Sequence, residues 1–117
     1  MAGFSAGTLV LDSNPFVTSS GDNNDVPLGG SLMYIVVSND MDAITGMAGD
    51  VTLGSIIFVV NIGPTNNLVI KNNNVSSSAG NRILTVAGID LTVPPFCTAL
   101  LGYDTTNQEW HVTRFSS

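Results

Sequence analysis

The chain has 117 residues, of which 44% are hydrophobic and only 10% are charged, whereas about 25% of the residues in typical soluble domains are charged. Three Lys and Arg residues stand against nine Asp and Glu residues, which gives a net charge of −6. So few basic side chains cannot neutralise many phosphates, which argues against nucleic-acid binding and against polybasic attachment to a membrane. The length fits one domain.

The apolar runs predict strands. Short β-branched and aliphatic stretches alternate with clusters of Gly, Asn, Pro, Asp and Ser, as in all-β proteins. In chain order the predicted strands are 8–11, 16–18, 31–38, 43–47, 50–53, 55–61, 67–71, 82–86, 90–93, 97–103 and 109–115. Helix is limited to one turn near 38–43. Many short, evenly spaced strands predict an antiparallel β-sandwich that resembles a jelly roll.

Residues 1–30 differ from the rest and predict an extended N-terminal arm, with the β-sandwich domain over 31–117. The arm holds one compact apolar run, 8–11, among loops rich in Asn, Ser, Gly and Pro. Segments 32–37 and 56–60 are apolar at both strand parities, so both of their faces are expected to be covered. A partner chain would cover them, and so would an overlying loop or a small closed core.

The C-terminal segment predicts a hairpin. Strand 97–103 leads through the turn-forming residues 104–108 into strand 109–115. Trp110 and Val112 share the dry face, and His111 shares the wet face with Glu109. If Glu109 belongs to the loop, Tyr103 and Trp110 lie opposite each other.

No motif in the sequence indicates catalysis. His111 is the only histidine and Cys97 the only cysteine. Asp104 is a possible third member of a Cys-His-Asp set, but the expected register separates Cys97 from His111, so no catalytic residue is assigned. A single cysteine also excludes an intrachain disulfide.

Acidic residues in two loops raise the possibility of a calcium site. Asp22, Asp25, Asp40 and Asp42 have oxygen ligands at short spacing, but a turn rich in Asp and Asn explains the same residues. We therefore expect no metal and no cofactor.

Two classes of function fit these observations. A structural module of a large assembly explains the two-sided apolar strands and the amide-rich surface. A receptor- or glycan-binding tip domain is the alternative, with the Asn-rich loops as its binding surface.

The stretch 54–112 resembles the small β-domains of tailed-bacteriophage virion proteins. The resemblance includes the apolar strand 56–61 that ends in Asn, the strand 67–71, the Ser/Asn loop 72–81 and the segment 82–95. It closes with a strand ending Tyr103-Asp104, a short loop and Trp110. Such domains recur in capsid decoration (cement) proteins, head fibres and tail-fibre tips.

This resemblance implies a structural virion protein made in the host cytoplasm. It would decorate the outer capsid surface as a homotrimer and stabilise the capsid by bridging major capsid protein subunits. The family has no catalytic residues to carry over. A compact chain with a short arm and without heptads fits a cement protein better than a fibre. We expect the apolar residues of the arm to contact the capsid or a neighbouring subunit, unless they fill the chain's own core: Phe4, Leu9, Leu11 and Phe16.

Overall fold

The part of the chain that the structure describes is built from β-strands, as the strand pattern predicts. The computed structural model describes residues 13–17, 20–28, 33–37, 42–48 and 55–116. These residues form ten strands: β1 (Ser13–Val17), β2 (Gly21–Asn23), β3 (Met33–Val37), β4 (Asp42–Ile44), β5 (Ile56–Asn61), β6 (Leu68–Ile70), β7 (Ile83–Leu84), β8 (Leu91–Val93), β9 (Thr98–Asp104) and β10 (Glu109–Ser116). Two short 3₁₀ turns, Ala79–Asn81 and Val86–Gly88, flank β7.

The strands form two mixed sheets. The order is β1-β3-β5-β9-β10-β7 in the six-stranded sheet and β2-β4-β6-β8 in the four-stranded sheet. From β1 to β6 the chain alternates between the sheets, and each strand lies parallel to the previous strand of its own sheet. This is the winding of a β-solenoid, in which the chain returns to the same sheet after each coil.

The parallel winding corrects the predicted topology. Of the eight described strand pairings, five are parallel, and the three antiparallel ones are β5–β9, β9–β10 and β6–β8. The prediction of an antiparallel arrangement is therefore wrong for most of the ladder. A jelly roll is built from antiparallel Greek keys, so the parallel coils do not fit it either. Because consecutive strands enter different sheets, neighbours in a sheet run in the same direction.

Most predicted strands are present with bounds shifted by one to three residues. One described strand, β2, has no counterpart among the predicted strands, because its residues are polar. Its Asn23 is nonetheless buried, and its amide donates to the Ala43 carbonyl over 2.9 Å. The predicted strands 8–11 and 50–53 lie outside the described residues.

Part of the predicted arm pairs with both sheets. β1 pairs with β3, and β2 pairs with β4. Val26 is 2% exposed and belongs to the core. Strands β1 and β2 therefore belong to the same two sheets as the later strands, while the boundary at residue 30 stays a prediction.

One hydrophobic core receives side chains from both sheets. Its largest fully buried members are Trp110, Ile44, Met47, Ile57, Leu68, Ile70, Ile83 and Leu101. Burying such a side chain stabilises the fold by roughly 1.5–3 kcal/mol.

The C-terminal hairpin forms as predicted and pairs Tyr103 with Trp110, but Asp104 and Glu109 belong to its strands and not to its loop. Glu109 pairs with Asp104, and Trp110 pairs with Tyr103. The two rings meet edge to face with centroids 5.0 Å apart, a favoured geometry for aromatic pairs. Trp110 and Val112 are buried, while Glu109 and His111 are half-exposed, as expected for one dry and one wet face.

Candidate functional site

Most of the predicted contact residues lie outside the part of the chain that the structure describes. Phe4, Leu9 and Leu11 are outside the described residues. Phe16 lies in β1, where its backbone is the register partner of Val36 in β3. The expectation that these residues contact the capsid or a neighbouring subunit stays a prediction.

Strand β5 presents apolar side chains on both faces, as its sequence predicts. Ile57 and Val59 point into the core and are at most 1% exposed. The other face carries Ile56, which is 61% exposed, together with half-buried Phe58 and Val60. In this chain the outer apolar face of β5 is therefore only partly covered.

The apolar outer face continues onto β9. Phe58 is the register partner of Leu100 in β9 and of Met33 in β3, and Leu100 is half-buried. Cross-strand partners lie on the same face of a sheet. The outer face thus has apolar residues in two adjacent strands, β5 and β9.

A buried asparagine fixes the loops at one end of this face. The Asn61 amide donates to the carbonyls of Asn66 over 2.9 Å and Val93 over 3.0 Å, and its oxygen accepts from the Gly63 N–H over 3.0 Å. Its backbone accepts a hydrogen bond from the Phe96 N–H over 2.7 Å. Asn61 therefore joins the loop after β5 to the loop before β9.

These two loops present exposed apolar side chains. Ile62 is 42% exposed, and Phe96 is 71% exposed. Phe96 lies in the turn between Pro94 and Cys97, in which the Cys97 N–H donates to the Pro94 carbonyl over 3.2 Å. Ile62 follows the end of β5 and Phe96 precedes the start of β9, so both lie at the same end of this antiparallel pair.

Phe96 has a strained backbone as well as an exposed side chain. Its φ is +64°, in the left-handed region that costs an L-residue roughly 1–2 kcal/mol. A bulky residue there is an outlier, and such outliers cluster at functional sites. Neither burial nor a relaxed backbone explains a phenylalanine at this position.

These observations define one candidate contact surface, the β5–β9 apolar surface. Its members share the outer face of the six-stranded sheet or the adjoining loop end: Ile56, Phe58, Val60, Ile62, Phe96 and Leu100. Exposed apolar side chains grouped on one part of a protein are a common feature of interaction sites.

A polar cluster lies on the hairpin at the opposite end of β9. The His111 Nε2 atom is 3.3 Å from Asp104 Oδ2 and 3.5 Å from Glu109 Oε1. Hydrogen bonds from the side chain and backbone of Asn107, and from the Thr106 N–H, hold the pKa of the Asp104 carboxyl below its ordinary value. The cluster is half-exposed, and each member can offer a ligand atom to a metal ion.

The strand register keeps Cys97 and His111, the candidate nucleophile and base, apart. His111 is the partner of Gly102, while Cys97 precedes the start of β9 by one residue. The imidazole contacts Asp104 and Glu109, and the Cys97 thiol contacts the Pro95 carbonyl at 3.6 Å. The Cys-His-Asp arrangement is therefore not assembled.

The loop carboxylates considered for calcium have separate roles. Asp22 forms an ion pair with Lys71 at 2.9 Å. Asp25 accepts from the Ser78 N–H and from the Asn81 amide, and Asp42 is buried in β4. Asp40 lies outside the described residues.

Sequence reasoning missed Phe96 and the full polar cluster. Nothing in the sequence reports a positive φ at a phenylalanine, because glycine and asparagine are the usual signals of that conformation. The cluster left a clearer signal: the hairpin register sets Asp104 opposite Glu109, with His111 two residues further on the same face.

Comparison with known proteins returned no match to a family model, to a curated protein or to a solved structure. The described part of the chain contains no helix with the length and hydropathy of a membrane span.

Proposed function

We propose that the protein is a structural virion protein that decorates and stabilises a bacteriophage capsid. In this role it forms a homotrimer on the outer capsid surface and bridges major capsid protein subunits. The observation that carries the proposal is the β5–β9 apolar surface, which a lone chain leaves partly exposed. The resemblance of residues 54–112 to phage virion domains supplies the biological context.

The β5–β9 apolar surface is proposed as the contact between copies in the trimer. Ile56 and Phe96 are the most exposed members of this surface, so covering them removes the most apolar area from water, at roughly 25 cal/mol per Å². Phe96 also has a strained backbone. Phe96 lowers the stability of the single chain, and a contribution to the stability of the trimer would account for its presence at this position.

The two sheets are proposed to stack face to face as a sandwich within each subunit. The support is the shared core, in which Ile44 and Leu68 from one sheet join Ile57 and Trp110 from the other. Stacked sheets leave one outer face each, and the outer face of the six-stranded sheet carries the β5–β9 apolar surface.

The capsid contact is proposed to use uncharged groups and many copies. The chain has only three basic residues, so charge pairing with an acidic partner is weak. Buried apolar area and hydrogen bonds supply modest affinity at one site, and three linked sites raise it through effective concentration. Phe4, Leu9, Leu11 and Phe16 remain the proposed capsid-contact residues.

Exposed-residue variants test the proposal. Ile56→Ser and Phe96→Ser are expected to lower the trimer fraction in sedimentation equilibrium and to reduce pelleting with capsids that lack the protein. Val75→Ser is the matched control, because Val75 is 81% exposed but lies in the 71–78 loop, away from the surface. Wild-type levels of trimer and pelleting in the Ile56 and Phe96 variants would contradict the assignment of the surface.

A further inference from the structure

The hairpin cluster has the donor spacing of a metal site. Asp104 ends β9 and Glu109 begins β10, and the two are register partners. His111 Nε2 lies 3.3 Å from one carboxylate oxygen and 3.5 Å from the other. Donors bound to zinc at about 2.0–2.1 Å in a tetrahedron are about 3.3 Å apart. Both measured separations are close to that edge length.

The third edge of the cluster, between the two carboxylates, needs to shorten by at most about 1.5 Å to reach the same edge length. The three ligand atoms all lie within 4.8 Å of one another. The Asp104 carboxylate is held in place because its Oδ1 accepts from the Thr106 N–H over 2.9 Å and its Oδ2 accepts from the Asn107 amide over 2.8 Å. Glu109 has one more rotatable bond than Asp104, so it is the side chain that would move to complete the site.

The electrostatics of the cluster also favour a cation. Like charges directly opposite each other on paired strands are destabilising, and Asp104 faces Glu109. Among the described side chains, Lys71 pairs with Asp22 and the Arg82 guanidinium donates to the Ser77 carbonyl. The ion pairs found for Asp104 and Glu109 both involve His111. A divalent cation between the two carboxylates would offset their repulsion.

We propose that Asp104, Glu109 and His111 bind one divalent transition-metal ion of the zinc class. The ligand atoms are Asp104 Oδ2, Glu109 Oε1 and His111 Nε2. One imidazole nitrogen with two carboxylate oxygens suits zinc, cobalt, nickel or manganese, whereas calcium and magnesium take oxygen ligands. The cluster is half-exposed, so water completes the coordination. The site departs from the sequence-based expectation of no metal and does not depend on the proposed capsid role.

The test uses the full chain with Zn²⁺ alone. His111 is the only histidine, so its carbon-bound ring protons report this site in an NMR titration without interference from binding at Cys97. We expect these signals to shift and to saturate at one Zn²⁺ per chain, while Mg²⁺ leaves them in place. Signals that do not move at millimolar Zn²⁺ would overturn the proposal.

Variants identify the ligands. Glu109→Gln keeps the shape of the side chain and should weaken Zn²⁺ binding at least about tenfold. Changes to residues that only support a metal ligand already lower metal affinity by about that factor. Asp90→Asn removes an exposed carboxylate in the 85–90 loop and should leave the affinity unchanged. Equal affinity in the Glu109 variant, or an equal loss in the Asp90 variant, would show non-specific attraction and overturn the proposal.

A histidine variant gives a second readout. His111→Asn should bind Zn²⁺ at least about tenfold more weakly by calorimetry, with unchanged circular dichroism as evidence that the hairpin still folds. If the variant is folded and retains wild-type affinity, the metal is bound elsewhere and the assignment is wrong.

Discussion

The Trp110 indole nitrogen donates a hydrogen bond to the Met47 carbonyl over 2.9 Å, although 63 positions separate the two residues. Trp110 belongs to the C-terminal hairpin, and Met47 follows β4 of the other sheet. Both are fully buried. This contact therefore connects the antiparallel end of the fold to the parallel coils.

Trp110→Phe should destabilise the protein by about 2–4 kcal/mol. The change leaves the buried Met47 carbonyl without its donor and opens a cavity. Tyr103→Phe removes only the hydroxyl that donates to the Gly80 carbonyl over 2.8 Å, and should cost about 0.5–1.5 kcal/mol. Urea unfolding followed by circular dichroism measures both losses of stability. Tryptophan fluorescence cannot be used for the first variant, because Trp110 is the only tryptophan. Equal stability of the two variants would contradict the role of the indole contact.

Gly46 and Gly102 should respond oppositely to alanine. A Cβ at Gly46 would lie 2.5 Å from the Asn81 carbonyl oxygen and from the Ser77 hydroxyl, whereas one at Gly102 would meet Thr113 at an ordinary 3.6 Å. Gly46→Ala should cost about 1–3 kcal/mol through overpacking. Gly102→Ala should stay within about 0.5 kcal/mol of wild type or gain stability. The same urea experiment compares them, and a tolerated Gly46→Ala would contradict the close approach.

Phe96→Gly should stabilise the isolated chain and weaken the trimer. Glycine adopts a φ of +64° without the penalty that phenylalanine incurs. We expect a gain of about 0.5–1 kcal/mol, because glycine also adds entropy to the unfolded chain. Urea unfolding at concentrations below trimer formation measures the gain, and sedimentation equilibrium measures the trimer. A variant that is destabilised, or that forms trimers as well as wild type, would contradict the functional explanation of the strain.

Asp25 should make stability pH-dependent in the acid range. Hydrogen bonds from the Asn81 side chain and then from the Ser78 N–H lower the pKa of Asp25 below its ordinary value. The unfolded chain therefore takes up the proton first. The stabilising contribution is complete above the ordinary value of 3.8 and is lost as the pH falls through the lower folded pKa.

Two variants check this dependence. Asp25→Asn and Asn81→Ala should be less stable than wild type at pH 6, and the gap should narrow as the pH falls below about 4. Thermal unfolding between pH 2 and pH 7 measures the gap. A constant gap over this range would exclude a role for the Asp25 carboxylate charge.

Local patterns in the sequence predict the hairpin and most strand positions well. The Tyr103–Trp110 pair follows from turn-forming residues between two alternating strands, a relationship confined to fewer than twenty residues. The parallel ladders could not be predicted this way. β1 and β3 pair across a connection that passes through the other sheet, and alternation within a strand does not identify so distant a neighbour.

The candidate sites also combine features visible in the local sequence with features that depend on distant contacts. The apolar outer face of β5 was expected from Ile56, Phe58 and Val60, because their parity is visible in the sequence. The positive φ of Phe96 lies in a turn that bonds both locally, from Cys97 to Pro94, and to the distant Asn61 carbonyl, and the sequence does not show the second contact. The polar cluster depends on the pairing of Asp104 with Glu109, a hairpin register that the sequence leaves open and the structure establishes.

Sedimentation velocity of the purified chain, alone and with capsids that lack it, tests the central claim most directly. The proposed function predicts a species of about 37 kDa, three times the 12.2 kDa of one chain, that moves with the capsids when they are present. A 12.2 kDa monomer that stays behind when the capsids sediment would contradict it.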